Sequence, residues 1–117
     1  MRKALLTLLA FGALAVAASP AAATTKTLVG TVGPGYTITF MLNGATLKTI
    51  KAGTYKWVVD DKSSMHNFSI DGPGVEQDLT SVGFVGRKSG TFKLTKGLYT
   101  YECTPHQAVM KGTFNVT

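Results

Sequence analysis

Short runs of alternating apolar residues, each cut off by glycine, proline or a similar turn residue, fill the chain from Thr27 to Val116. A period of two puts every second side chain on one face, as a half-buried strand requires, and no window here repeats at the helical period. Thr27 to Val32 is the first predicted strand, closed by Gly33-Pro34-Gly35. Tyr36, Ile38, Phe40 and Leu42 share one face of the next, which ends at the turn Asn43-Gly44. Leu47 to Lys51 is short and is expected at an edge, and Tyr55, Trp57 and Val59 alternate up to Asp60-Asp61. His66, Phe68 and Ile70 form one face of a strand ended by Gly72-Pro73-Gly74. Val75 to Gly90 is irregular, with a short strand expected near Val82 to Val85. Phe92 and Leu94 share a face, Lys96-Gly97 turns into the row Tyr99, Tyr101 and Cys103, and Phe114 and Val116 close the chain. About eight short strands with closely spaced turns predict an all-β fold, a Greek-key β-sandwich or barrel.

The beginning of the chain follows different rules. Arg2-Lys3 precede a run from Ala4 to Ala18 that only Thr7 and Gly12 interrupt, and Ala21-Ala22-Ala23 offers small residues for cleavage before Thr24. This is the layout of a secretory signal peptide over residues 1–23, leaving a domain over residues 24–117. The apolar run is shorter than the roughly 20 residues that span a bilayer, so no stable membrane insertion is expected after cleavage. The expected compartment is the periplasm or the exterior.

Without Arg2 and Lys3 the chain still has more Lys and Arg than Asp and Glu. That excess suits an acidic partner or plain solubility. The lysines are scattered (Lys48, Lys51, Lys56, Lys62, Lys93, Lys96) and form no basic run, so nucleic acid is not expected as a partner.

Export makes the cysteine count informative. The chain has a single cysteine, Cys103, which cannot pair internally in an oxidising compartment and therefore reads as a reactive thiol or a metal ligand. Its two histidines are His66 and His106, and the segment Cys103-Thr104-Pro105-His106-Gln107-Ala108-Val109-Met110 carries a thiol, an imidazole and a thioether together. Taken singly, these side chains are ordinary core residues. Together they are the ligand set of a type 1 copper site, with two imidazoles and a thiolate in the plane and a weak thioether on the axis.

The strand phases give this set a common place. His66 faces inward with Phe68 and Ile70, Cys103 faces inward with Tyr99 and Tyr101, and the loop after Cys103 carries His106 and Met110 back over the same pole. Softness and geometry put copper ahead of zinc. Asn67 and Thr104 adjoin ligands, and a bond between them would tie the two ligand segments together. Asn67 N–H is also expected to point at the Cys103 sulfur, whereas Pro105 has no N–H to give it.

Rival assignments leave residues unexplained. A Cys–His nucleophile would give His66 and Met110 no role. Gly97-x-Tyr99-x-Tyr101-x-Cys103 resembles the tyrosine corner of an immunoglobulin-like domain, but the second cysteine of that fold is missing.

Met65-His66-Asn67-Phe68, together with the segment from Tyr101 to Gly112, resembles the cupredoxins, the small blue copper proteins of the plastocyanin and amicyanin type. The resemblance covers essentially the whole domain. It implies a cupredoxin sandwich holding one copper, with His66, Cys103 and His106 as equatorial ligands and Met110 as the axial ligand. It also implies a one-electron carrier rather than an enzyme, which exchanges electrons with a redox partner through His106; a monomer is the default expectation. The gap from His106 to Met110 lies between those of amicyanin and plastocyanin, which keeps Met65 and Met41 open as axial alternatives. The same ligands would also serve a protein that carries copper without shuttling electrons.

Overall fold

The computed structural model describes residues 25–117, with Gly12 and Ala13. The predicted signal peptide therefore lies outside the described residues, apart from those two. The domain has ten strands: β1 (Thr27–Val32), β2 (Ile38–Leu42), β3 (Ala45–Thr46), β4 (Thr49–Ile50), β5 (Gly53–Asp61), β6 (Phe68–Asp71), β7 (Glu76–Thr80), β8 (Gly86–Leu94), β9 (Gly97–Glu102) and β10 (Lys111–Val116). They form two five-stranded sheets, ordered β3-β2-β1-β5-β8 and β4-β10-β9-β6-β7. The expected all-β sandwich is present, and among the described residues the one helical element is a 3₁₀ turn at Thr104–His106.

Alternation decides what lies between the sheets. Leu28, Val32, Phe40, Trp57 and Val59 are buried from the first sheet, and Phe68, Ile70, Tyr99, Tyr101, Phe114 and Val116 from the second. Phe40 joins the two layers. Its ring centroid lies 5.2 Å from Phe68, 5.5 Å from Tyr101 and 5.7 Å from Phe114, all edge-to-face, the arrangement that aligns a ring's positive edge with its neighbour's negative face. Gly30 makes room for this cluster, because a Cβ there would stand 2.7 Å from the Phe68 ring. At the far end of β2, Asn43 (φ 52°) and Gly44 (φ 77°) are both left-handed, as a tight hairpin between twisted strands requires.

The structure departs from the sequence expectations in several places. Leu47 to Lys51 is not one edge strand. Residues 45–50 cross between the layers, so β3 edges one sheet and β4 the other, with Leu47 buried between them. Val82 to Val85 is a loop, and strands lie on either side of it. β7 and the first half of β8 are polar edge segments whose burial does not alternate, and so they lack the pattern that marks a strand. In β8, Arg87 faces Asp60 across the ladder to β5, and the resulting bidentate ion pair holds the Asp60 carboxyl below its ordinary range.

The tyrosine-corner pattern has a local cause. The Tyr99 hydroxyl donates to Thr95 O (3.0 Å) and accepts from Thr95 N–H (3.0 Å) and Gly74 N–H (2.9 Å). It ties the β8–β9 turn to the turn after β6. We expect Tyr99→Phe to cost about 1–3 kcal/mol, because it leaves backbone donors without a partner. Urea denaturation checks this, with a lower midpoint at an unchanged m-value. A loss below about 0.5 kcal/mol would show that the hydroxyl is dispensable.

Candidate metal centre

The ladder registers bring many strand ends to one pole. Val32 pairs with Ile38 and Asp61, Asp61 with Gly86, and Glu102 with Ser69 and Lys111. The ends of β1, β5 and β9 and the starts of β2, β6, β8 and β10 therefore lie together. His66 and Cys103 sit just beyond the ladder at this pole, and both are buried.

His66 was expected within a strand, but it lies two residues before β6. A stitched turn delivers it there. The buried Asp61 accepts from Ser63 N–H (3.2 Å), Ser63 Oγ accepts from Met65 N–H (3.2 Å), and Ser63 O accepts from His66 N–H (3.3 Å). Short polar side chains bonding to nearby backbone make such turns without a ladder. Beyond His66, Phe68 N–H donates to Thr80 Oγ1 (2.9 Å), beside the register shift between β6 and β7. That shift leaves the consecutive residues Leu79 and Thr80 both buried.

The second ligand segment is a closed loop. Cys103 N–H donates to Met110 O (3.0 Å), extending the β9–β10 ladder by one pair. Inside the loop, His106 N–H donates to Cys103 O (3.0 Å) and Met110 N–H to His106 O (2.9 Å). Pro105 stands at the start of the 3₁₀ turn, where a missing N–H costs nothing. Met110 is fully buried in the core beside Cys103. Of the three methionines weighed as axial donors, Met65 is 57% exposed and Met41 only half-buried, which leaves Met110 as the buried one.

Two bonds clamp the segments together. Asn67 Nδ2 donates to Thr104 Oγ1 (3.1 Å), and Thr104 N–H donates to Asn67 Oδ1 (2.7 Å). The expected contact from Asn67 N–H to the sulfur does not form. The polar neighbours of Cys103 Sγ are His66 Nδ1 (3.6 Å) and His106 Nδ1 (3.5 Å). Tyr101 packs below in the core, and burial pushes its phenol above its ordinary pKa.

The three donor atoms form a small triangle, since the two Nδ1 atoms are 3.1 Å apart. Its chemistry can be tested on one hydrogen bond. His66 Nε2 lies 2.8 Å from Gly35 O. A carbonyl can only accept, so Nε2 carries the proton and Nδ1 turns a lone pair into the triangle. Lone pairs this close repel unless a proton or a cation lies among them. For an ion about 2.0–2.3 Å from nitrogen and sulfur donors, three trigonal ligands stand roughly 3.5 Å apart. The triangle fits that size. The chain holds His66, Cys103 and His106 where a single soft metal ion would be bound.

Sequence reasoning missed Tyr36. It was expected to share a strand face with Ile38, Phe40 and Leu42, but it precedes β2, is 59% exposed, and leans on both imidazoles. The nearby Gly33-Pro34-Gly35 turn was the available signal, because a turn there points the next residues at the pole.

A family model described as copper binding proteins, plastocyanin/azurin family, matches residues 24–117. Two structures of rusticyanin, a copper protein, are each 25% identical over 80% of this chain and 80% of theirs, with TM-scores of 0.56 and 0.55. A chain from a heme-copper terminal oxidase dimer is 18% identical, with a TM-score of 0.56 over 78% of this chain and 63% of that one, and shares the fold. No curated protein matches this chain.

Proposed function

Because this chain belongs to the plastocyanin/azurin family of copper-binding proteins, we propose that it is an exported type 1 copper protein that carries single electrons between redox partners and is not an enzyme. The observation that carries this is the triangle of two Nδ1 atoms and one thiol sulfur at a buried pole. His66, Cys103 and His106 would hold the copper, with Met110 as its weaker thioether ligand. Copper bound there supplies a one-electron couple, with ligands that suit both of its oxidation states.

The chain's own part is to hold the donors still and to leave one way in. The Gly35 carbonyl fixes the His66 tautomer, and the paired bonds between Asn67 and Thr104 keep both ligand segments in register. Asn67, Thr104 and Pro105 thus support the ligands without touching the metal. His66 and Cys103 are sealed from water, whereas His106 is half-buried among the exposed residues Pro105, Ala108 and Val109. A redox partner therefore meets His106 first, across an apolar rim. The basic excess of the domain favours a partner with an acidic docking surface. A monomer in the periplasm or outside the cell, without nucleic acid, fits these features.

Titrating Cu(II) into the reduced, metal-free protein tests the assignment. The expected result is an intense visible thiolate-to-copper band that saturates at one equivalent and bleaches reversibly on reduction. A colourless site that holds only Cu(I) and hands it on quickly would overturn electron carriage in favour of copper carriage.

The axial assignment has its own check. Met110→Leu is expected to keep the colour and raise the reduction potential, since losing a thioether weakens Cu(II) more than Cu(I). Unchanged potential and spectrum would remove Met110 from the ligand set.

A further inference from the structure

The turn from Gly33 to Tyr36, between β1 and β2, touches both imidazoles, and by different means. Gly35 O takes the His66 Nε2 proton at 2.8 Å. The next residue sets its ring against His106, with centroids 5.0 Å apart and planes at 78°. The same ring is tilted against His66 at 5.7 Å and 60°.

The two imidazoles are not held alike. An imidazole pinned at one nitrogen still turns about its Cβ–Cγ bond, so a second contact must set its plane. For His66 that contact is the Gly35 carbonyl. His106 offers only Nδ1 to polar neighbours among the described residues, and it lies in a three-residue 3₁₀ turn with no buried member. Two rings meet it from the side: His66, at 4.9 Å and 81° and already pinned by Gly35, and Tyr36. At 59% exposure Tyr36 is not a core residue, so its place over the histidines is not explained by burial.

We propose that Tyr36 is a positioning residue of the metal centre, an aromatic stop that fixes the plane of the His106 imidazole. The turn between β1 and β2 then orients both histidines, one through a carbonyl and the other through a ring edge. This rests on His106 being a ligand, as proposed above. It adds a residue that neither the ligand inventory nor the strand pattern provides.

The test compares wild type, Tyr36→Ala and Tyr36→Phe. In the copper-loaded proteins, pulsed electron–nuclear resonance reads the two histidine nitrogen couplings separately. Tyr36→Ala is expected to change one coupling and spare the other, and to speed copper release to a chelator about fivefold, the scale of one aromatic pair. Tyr36→Phe keeps the ring and is expected to match wild type in both readouts. The melting temperature of the metal-free protein is expected to be the same for all three.

Unchanged couplings and release in Tyr36→Ala would overturn the proposal. So would a Tyr36→Phe variant that behaves like Tyr36→Ala, or a fall in metal-free melting temperature with both couplings altered, which would mark a general packing role. A separate arm needs no copper. Metal-free wild type should show nuclear Overhauser contacts between the Tyr36 and His106 ring protons, and their absence overturns the proposal directly. Wild type that shows these contacts but forms no blue band would sink the copper assignment while the ring contact stands.

Discussion

Cys103→Ala is expected to abolish the visible band of the copper-loaded protein while leaving a folded β-sandwich. The cysteine is buried at the end of β9, and its sulfur meets both Nδ1 atoms, so it is the only thiolate that can give a charge-transfer band. Alanine fills most of the same space and keeps the backbone pair with Met110, because that bond uses Cys103 N–H and not the side chain. The thermodynamic readout is as large as the spectroscopic one. A ligand at 1,000 times its dissociation constant stabilises the native state by about 4.1 kcal/mol, a gain the wild type should show with copper and the variant should lose. Paired melting curves with and without copper, alongside the visible spectrum, decide it. A Cys103→Ala protein that stays blue, or that keeps the full copper-dependent rise in melting temperature, would remove the thiolate from the site.

Phe40→Ala is expected to cost about 3–5 kcal/mol, the range for deleting a buried phenylalanine ring. Phe40 has no exposed surface and contacts Phe68, Tyr101 and Phe114 across the layers. Nothing nearby is placed to fill the cavity, since the neighbouring rings are held by their own strands. A small domain has about 5–15 kcal/mol of stability in all, so the variant should be close to unfolding at moderate temperature. Phe68 and Tyr101 flank the ligand segments, so the loss should also loosen the metal centre. Chemical denaturation of the metal-free protein measures the first effect and copper affinity the second. A loss under about 1 kcal/mol would show that the aromatic cluster relaxes around the gap.

Much of the sandwich can be read from residues whose burial alternates. Leu28 and Val32, then Tyr55, Trp57 and Val59, then Tyr99 and Tyr101 all face the core as their spacing says. Segments without an apolar face could not be read in this way. Glu76, Gln77 and Asp78 form an exposed edge strand because β6 offers a free ladder, a fact about their neighbour and not about themselves. Residues 86–90 extend β8 for the same reason, pairing with Asp61 to Trp57.

The metal centre divides along the same line. Sequence alone determined its chemistry: one thiol, two imidazoles and a choice of thioethers are an inventory, and an inventory does not depend on the fold, whereas the burial of Met110 was decided by the structure. The sequence also pointed His66 and Cys103 toward one pole through the inward rows Phe68–Ile70 and Tyr99–Tyr101, although both residues lie just outside the strands. Only the tertiary structure decided how the ligands are aimed. The carbonyl that sets the His66 tautomer, the ring that lies on His106 and the pairing of Asn67 with Thr104 all join residues at least 31 positions apart. Such contacts depend on where the turns of two sheets meet, and no local pattern in the chain records that.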